Sequence, residues 1–169
     1  MAAPSIAVVN RLERGEFRAL LGGVFEDSPW VAEHAFECRP FASVEALHAV
    51  MVAMVETASR EEQLALIRAH PDLAGTAARA GTMTASSVAE QASAGLDRLT
   101  DEEYARFERL NAAYREKFGF PFIIAVRRHD KHAILAAFET RLRNSEDEEI
   151  ATALTQIAEI ARLRLDALG

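Results

Sequence analysis

One stretch of this chain, Pro121 to Val126, reads as extended, and the rest of its pattern reads as helix. A strand with no partner cannot make a sheet, so that solitary run places the fold in the all-α class. The helical segments carry their own punctuation. Ser28 before Pro29 reads as a cap followed by proline in the first helical position. Ser43 opens a run in which Leu47, Val50, Met51, Met54 and Val55 recur at helical spacing. Glu61 to Ala69 forms a short helix ended by His70-Pro71, since a residue before proline is pushed out of the α region. Thr100-Asp101-Glu102-Glu103 and Ser145-Glu146-Asp147-Glu148 both match the capping box. The first opens a helix through Tyr104, Phe107, Leu110, Ala113 and Tyr114, closed by Gly119; the second opens the C-terminal helix. The Ala/Gly/Thr-rich stretch from Gly75 to Ser86 reads as a loop. The expectation is one domain over residues 1–169, with about seven or eight helices and one short extended segment.

Half of the residues are hydrophobic, and a chain of this length buries about two-thirds of its unfolded surface. The formal net charge of −7 argues against a nucleic-acid partner, which would call for a basic face. An anionic small molecule stays open, because a site needs only one or two placed cations. The single Cys38 excludes an internal disulfide and a multi-cysteine metal site, and fits a reducing compartment. No apolar run approaches the roughly 20 residues that span a bilayer. The start lacks a secretory pattern and the end lacks a peroxisomal address, so the expected location is the cytoplasm.

Four features could carry chemistry. His70 is held against Pro71 on a stiff bend; it either complements a helix C-terminus or acts as a general acid or base, since histidine titrates near neutrality. Ser87-Val88-Ala89-Glu90 matches a capping box, so Ser87 and Glu90 could simply start a helix. Against that, Glu90 is flanked one turn away by Ser86 or Ser87 and by Ala94, small groups that leave room for a ligand. Phe118 to Val126 could be ordinary core. Yet an extended run without a sheet leaves N–H and C=O groups to be satisfied, and a polar ligand could pair with them. Arg164 falls inside the apolar arc of Ile150, Leu154, Ile157, Ala161, Leu165 and Leu168, whereas Arg162 points away. A buried arginine is rarely unpaired; a carboxylate such as Glu90 or a substrate anion could answer it. His129 and His132 lie three apart, but Arg127, Arg128, Asp130 and Lys131 around them read as a solvated loop and helix start rather than a metal site.

Arg68-Ala69-His70-Pro71-Asp72-Leu73-Ala74-Gly75, Ser87-Val88-Ala89-Glu90-Gln91 and Phe118 to Val126, in this order, resemble the OHCU decarboxylase family. The likeness runs from Ser28-Pro29-Trp30-Val31 through Arg39-Pro40-Phe41 to Arg162-Leu163-Arg164-Leu165. Arg128 beside Arg127 departs from the small residue that many relatives carry there. The resemblance implies decarboxylation of 2-oxo-4-hydroxy-4-carboxy-5-ureidoimidazoline (OHCU) to (S)-allantoin in urate breakdown. It implies His70 as proton carrier, Glu90 as its support and Arg164 on a substrate anion. Pro71, Ser87, Gln91, Phe122, Ile123, Ile124, Ala125 and Val126 are implied to bind substrate, the last five largely through main chain. No cofactor or metal is implied, because the substrate resembles a masked β-dicarbonyl with its own electron sink. A homodimer is implied, with urate oxidase and hydroxyisourate hydrolase as pathway neighbours. Two other classes fit the residues alone: a non-catalytic helical binding or scaffold protein, and a metal-dependent hydrolase using His70 with His34, His48 or the His129/His132 pair.

Overall fold

A computed structural model describes residues 3–74 and 81–168; residues 75–80 of the expected Gly75–Ser86 loop lie outside the described residues. Among the described residues there are nine α-helices, one 3-10 turn and no strand. The protein is all-α, as the lone extended segment requires. Its packing divides into two compact units, Met1–Ala69 with Ile157–Gly169, and His70–Gln156.

The first unit contains α1 (Ile6–Val9), α2 (Arg14–Leu21), α3 (Trp30–Phe36), α4 (Val44–Glu56), α5 (Arg60–Arg68) and the end of the last helix. Here α3 packs on both α2 and α4, and Phe17, Leu21, Val31, Ala35, Leu47 and Met51 are sealed from solvent. Ser43 caps α4 by accepting the Ala46 N–H at 3.1 Å. Ser59 and Glu62 form a capping box on α5. Ser28 departs from its expected role. Pro29 takes up helical dihedrals, but the Ser28 hydroxyl donates to the Glu26 carbonyl at 2.8 Å instead of capping α3.

The second unit contains α6 (Ala85–Ser93), α7 (Asp101–Phe118), the 3-10 turn η1 (Val126–Arg128), α8 (Lys131–Arg141) and the start of α9 (Glu146–Asp166). Both expected capping boxes form, at Thr100/Glu103 and at Ser145/Glu148. Gly119 ends α7 at φ 76°, a left-handed conformation that a β-carbon disfavours. The segment after it, residues 121–125, is irregular, and Val126 already belongs to η1. That run has no strand beside it to build a ladder, so side chains hold it instead.

Tyr114 is the centre of this unit. Its ring meets those of Phe118, Phe120, Phe122 and Phe138 at centroid distances of 4.5 to 6.4 Å, and Phe122 stacks on Phe138 at 3.8 Å. Its hydroxyl donates at 2.6 Å to Glu149, a carboxylate with no exposed surface. Arg141 Nε donates to the same oxygen at 2.8 Å, and Asn144 reaches the other at 2.9 Å. Arg141 Nη1 then donates to the Ile123 carbonyl at 2.6 Å, with its guanidinium 4.2 Å over the Phe122 ring. An aromatic cluster and a buried ion pair together fix the irregular run.

Two outcomes follow. Removing one partner of a buried ion pair strands the other charge, so Arg141→Met is expected to lower stability by about 3–5 kcal/mol in urea denaturation. Burial first, and the bond to the Glu149 carboxylate second, hold the Tyr114 phenol well above its usual range. Folding therefore favours the neutral phenol: its contribution is intact below pH about 10 and falls away above it. Absorbance titration of the folded protein should show Tyr114 ionising only together with unfolding.

Candidate active site

His70 stands just beyond α5. The helix stops at Arg68 with Ala69 as its cap, and His70 occupies the bend before Pro71, where the α conformation is disfavoured. It is 6% exposed. The loop that follows is tied down at Asp72, Leu73 and Ala74. Asp72 receives both carboxylate contacts from Arg115 Nε, at 2.9 and 3.0 Å. The Leu73 carbonyl accepts from buried Asn111 at 2.8 Å. Gln91 uses both ends of its amide: Oε1 accepts the Ala74 N–H at 2.9 Å, and Nε2 donates to the Asp72 carbonyl at 3.2 Å. Ala74 sits at φ 52°, a left-handed conformation costing a non-glycine residue on the order of 1–3 kcal/mol. Such backbone persists only where its surroundings dictate it, and Gln91 is the group that does so.

Gln91 belongs to α6, and α6 also carries Ser87 and Glu90. The simple capping account of those two residues fails here. Thr84 is the cap, accepting the Ser87 N–H at 3.2 Å, and the helix starts at Ala85. The expected loop thus ends at Thr84, because its hydroxyl and extended backbone meet the capping geometry first. Ser87 and Glu90 lie inside the helix and are buried, at 4% and 8% exposure. Their face continues through Gln91 and Ala94, while Val88 points outward. A carboxylate buried on a helix interior is rarely found without a purpose.

The third sequence segment arrives through η1, which packs against α6. Phe122, Ile123, Ile124, Ala125 and Val126 are all buried. Two of the main-chain groups expected to meet a ligand are already engaged: the Ile123 carbonyl by Arg141, and the Ala125 N–H by Gln156 at 2.9 Å. The N–H and C=O of Ile124 form no hydrogen bond among the described residues. Within this unit, then, the His70 loop, the Ser87/Glu90 helix and the 122–126 segment meet around α6. Arg127 and Arg128 are exposed in η1, and His129 and His132 are exposed around the α8 cap Asp130. Among the described residues no group of three or more His, Cys, Asp or Glu could hold a metal ion.

Arg164 lies in the other unit. It is 8% exposed, as its place in the apolar arc of α9 requires, whereas Arg162 is half-buried and pairs with Glu45 and Asp166. Arg164 Nη2 donates to Glu26 at 3.0 Å, and Nη1 to the Gly23 carbonyl at 3.2 Å. Periodicity demanded an anion for this arginine. It could not name Glu26, which is 2% exposed and sits in no regular pattern. Arg115, Asn111, Arg141 and Gln156 were missed for the same reason.

An imidazole, a carboxylate and a run of main chain are thus buried on elements of one unit that meet at α6. The family model for OHCU decarboxylase matches residues 10–166, and the chain belongs to that family. A relative from Haloferax volcanii named 2-oxo-4-hydroxy-4-carboxy-5-ureidoimidazoline decarboxylase is 51% identical over 93% of this chain and 91% of its own. A mouse (Mus musculus) protein of the same name is 39% identical over 95% and 91%. A uric acid degradation bifunctional protein of Bacillus sp. (strain TB-90) is 45% identical over 95% of this chain and 31% of its own. Among solved structures, (S)-allantoin synthase superposes with a TM-score of 0.77 at 34% identity, covering 96% of this chain and 53% of that one. This chain therefore spans about half of that structure's length.

Gln91→Leu removes both links between α6 and the His70 loop. The expected cost is about 1–3 kcal/mol in chemical denaturation, with faster amide exchange at Ala74 than elsewhere in the unit.

Proposed function

We propose that this protein decarboxylates OHCU to (S)-allantoin in urate degradation, with His70 as the proton carrier. The observation that carries the assignment of roles is the pair of hydrogen bonds between Gln91 and the His70 loop. It fixes that loop to the helix bearing Glu90, in a chain that belongs to a decarboxylase family.

The reaction needs no external electron acceptor. The C–C bond to the carboxylate breaks, and its electron pair enters the neighbouring unsaturated bond of the ring. The hydroxyl on the same carbon gives up its proton and becomes a carbonyl. The ring nitrogen that receives the displaced pair takes up a proton from solvent, and the hydroxyl proton is replaced by one delivered to the adjacent ring carbon on one face, which sets the (S) configuration. Spontaneous breakdown of the same compound gives a racemate, so stereochemistry is part of the function.

His70 handles those protons in this reading, and its rigid bend fixes the face of delivery. Glu90 orients and electrostatically supports the imidazole. Ser87 offers a hydroxyl, Pro71 shapes the wall, and the peptide of Ile124 recognises ureido or ring amide groups. Arg164 is assigned to a substrate anion on the family resemblance; its pairing with Glu26 presets the guanidinium plane. Gln91 acts by holding the loop. A homodimer in the cytoplasm, working beside urate oxidase and hydroxyisourate hydrolase, completes the proposal. The bifunctional relative supports the neighbourhood, and no helix among the described residues is long and apolar enough to cross a membrane.

Circular dichroism of freshly generated OHCU tests this directly. Wild-type protein should build the (S)-allantoin signal rapidly, and His70→Ala should slow it on the order of 10²–10⁴-fold. A wild type that yields only the slow racemic background would sink the proposal. Stereoselective turnover retained in His70→Ala would move the proton to another group, Glu90 first. Arg164→Lys, which keeps the charge but loses the planar fork, should raise KM more than it lowers kcat.

A further inference from the structure

Residues 121–125 form no regular structure, yet they lie buried. Buried main chain must find partners, and the partners found here follow a pattern. The Ile123 carbonyl is taken by Arg141 Nη1 at 2.6 Å. The Ala125 N–H is taken by Gln156 Oε1 at 2.9 Å. The Ala125 and Val126 carbonyls are used within η1, by the N–H groups of Arg128 and His129. Between the two side-chain grips, both polar groups of Ile124 stay unengaged among the described residues.

Arg141 and Gln156 hold the groups on either side, and the N–H and C=O of Ile124 are left between them. A ureido group carries both an N–H and a C=O, so it can donate to the Ile124 carbonyl and accept from the Ile124 N–H. The grips differ in kind. Arg141 is bound into the Glu149 ion pair and holds the fold itself. Gln156 is half-buried on α9, and Ala125 is its hydrogen-bond partner among the described residues.

We propose that Gln156 is a positioning residue for substrate recognition: by fixing the Ala125 N–H, it keeps the Ile124 peptide presented to the ureido or amide edge of the ligand. This rests on the decarboxylase reading above. Gln156 does not touch the reacting atoms, and its effect is on binding rather than on the chemical step.

The test combines amide hydrogen exchange with steady-state kinetics on OHCU, for wild type, Gln156→Leu and Gln156→Glu. Leucine removes the acceptor, so Ala125 should exchange about 5- to 10-fold faster, the loss expected for one hydrogen bond. Exchange at Gly119, outside the segment, should stay at the wild-type rate. KM should rise by a similar factor of about 5- to 10-fold, with kcat nearly unchanged. Glutamate keeps an oxygen acceptor and should restore Ala125 protection. Unchanged Ala125 exchange in Gln156→Leu would overturn the bond. Faster exchange with a wild-type KM would overturn the recognition role, as would a fall in kcat at constant KM. A wild type without stereoselective turnover is a different result, and it removes the decarboxylase reading itself.

Discussion

The carboxylate of Glu149 organises the unit around it. It has no contact with solvent, and burying a charge is tolerable only when the charge is paired and its lone pairs are filled. Tyr114, Arg141 and Asn144 do this from three elements: α7, α8 and the turn before α9. Because Arg141 also reaches the Ile123 carbonyl, the ion pair does more than close the core. It fixes the path of a chain segment that no sheet supports. Among the described residues the buried Nη2 of the same guanidinium has no hydrogen-bond partner.

The same device appears on a smaller scale after His70. A loop with a left-handed alanine has little local reason to hold its shape. Arg115, Asn111 and Gln91 supply that reason, gripping a carboxylate, two carbonyls and an N–H within three residues. Both irregular segments are thus held by side chains from regular helices. Rigid helices thus set the shape of segments that have no ladder of their own.

Much of the architecture was legible in the sequence. Capping boxes at Thr100 and Ser145, the cap at Ser43 and the stop at Gly119 are local chemistry, and local chemistry is written in adjacent residues. The burial of Arg164 followed from helical period alone. Ser87 and Glu90 show the limit. Their spacing matched a cap, but Thr84 took that role because its hydroxyl lay at the point where the backbone turns into the helix. Two residues three apart can satisfy one pattern, and only the true helix start says whether they use it.

By itself, then, the sequence determined the all-α class, most helix starts and stops, and the His70-Pro71 bend, since each depends on neighbours in the chain. The order of its short motifs identified the decarboxylase family. Tertiary structure decided which distant groups answer each need. Glu26 for Arg164, Gln91 for Ala74, Arg141 for Ile123 and Gln156 for Ala125 are pairings across 17 to 138 positions. No periodicity links residues so far apart. Only the requirement that every buried polar group find a partner selects them, and that requirement acts on the folded chain.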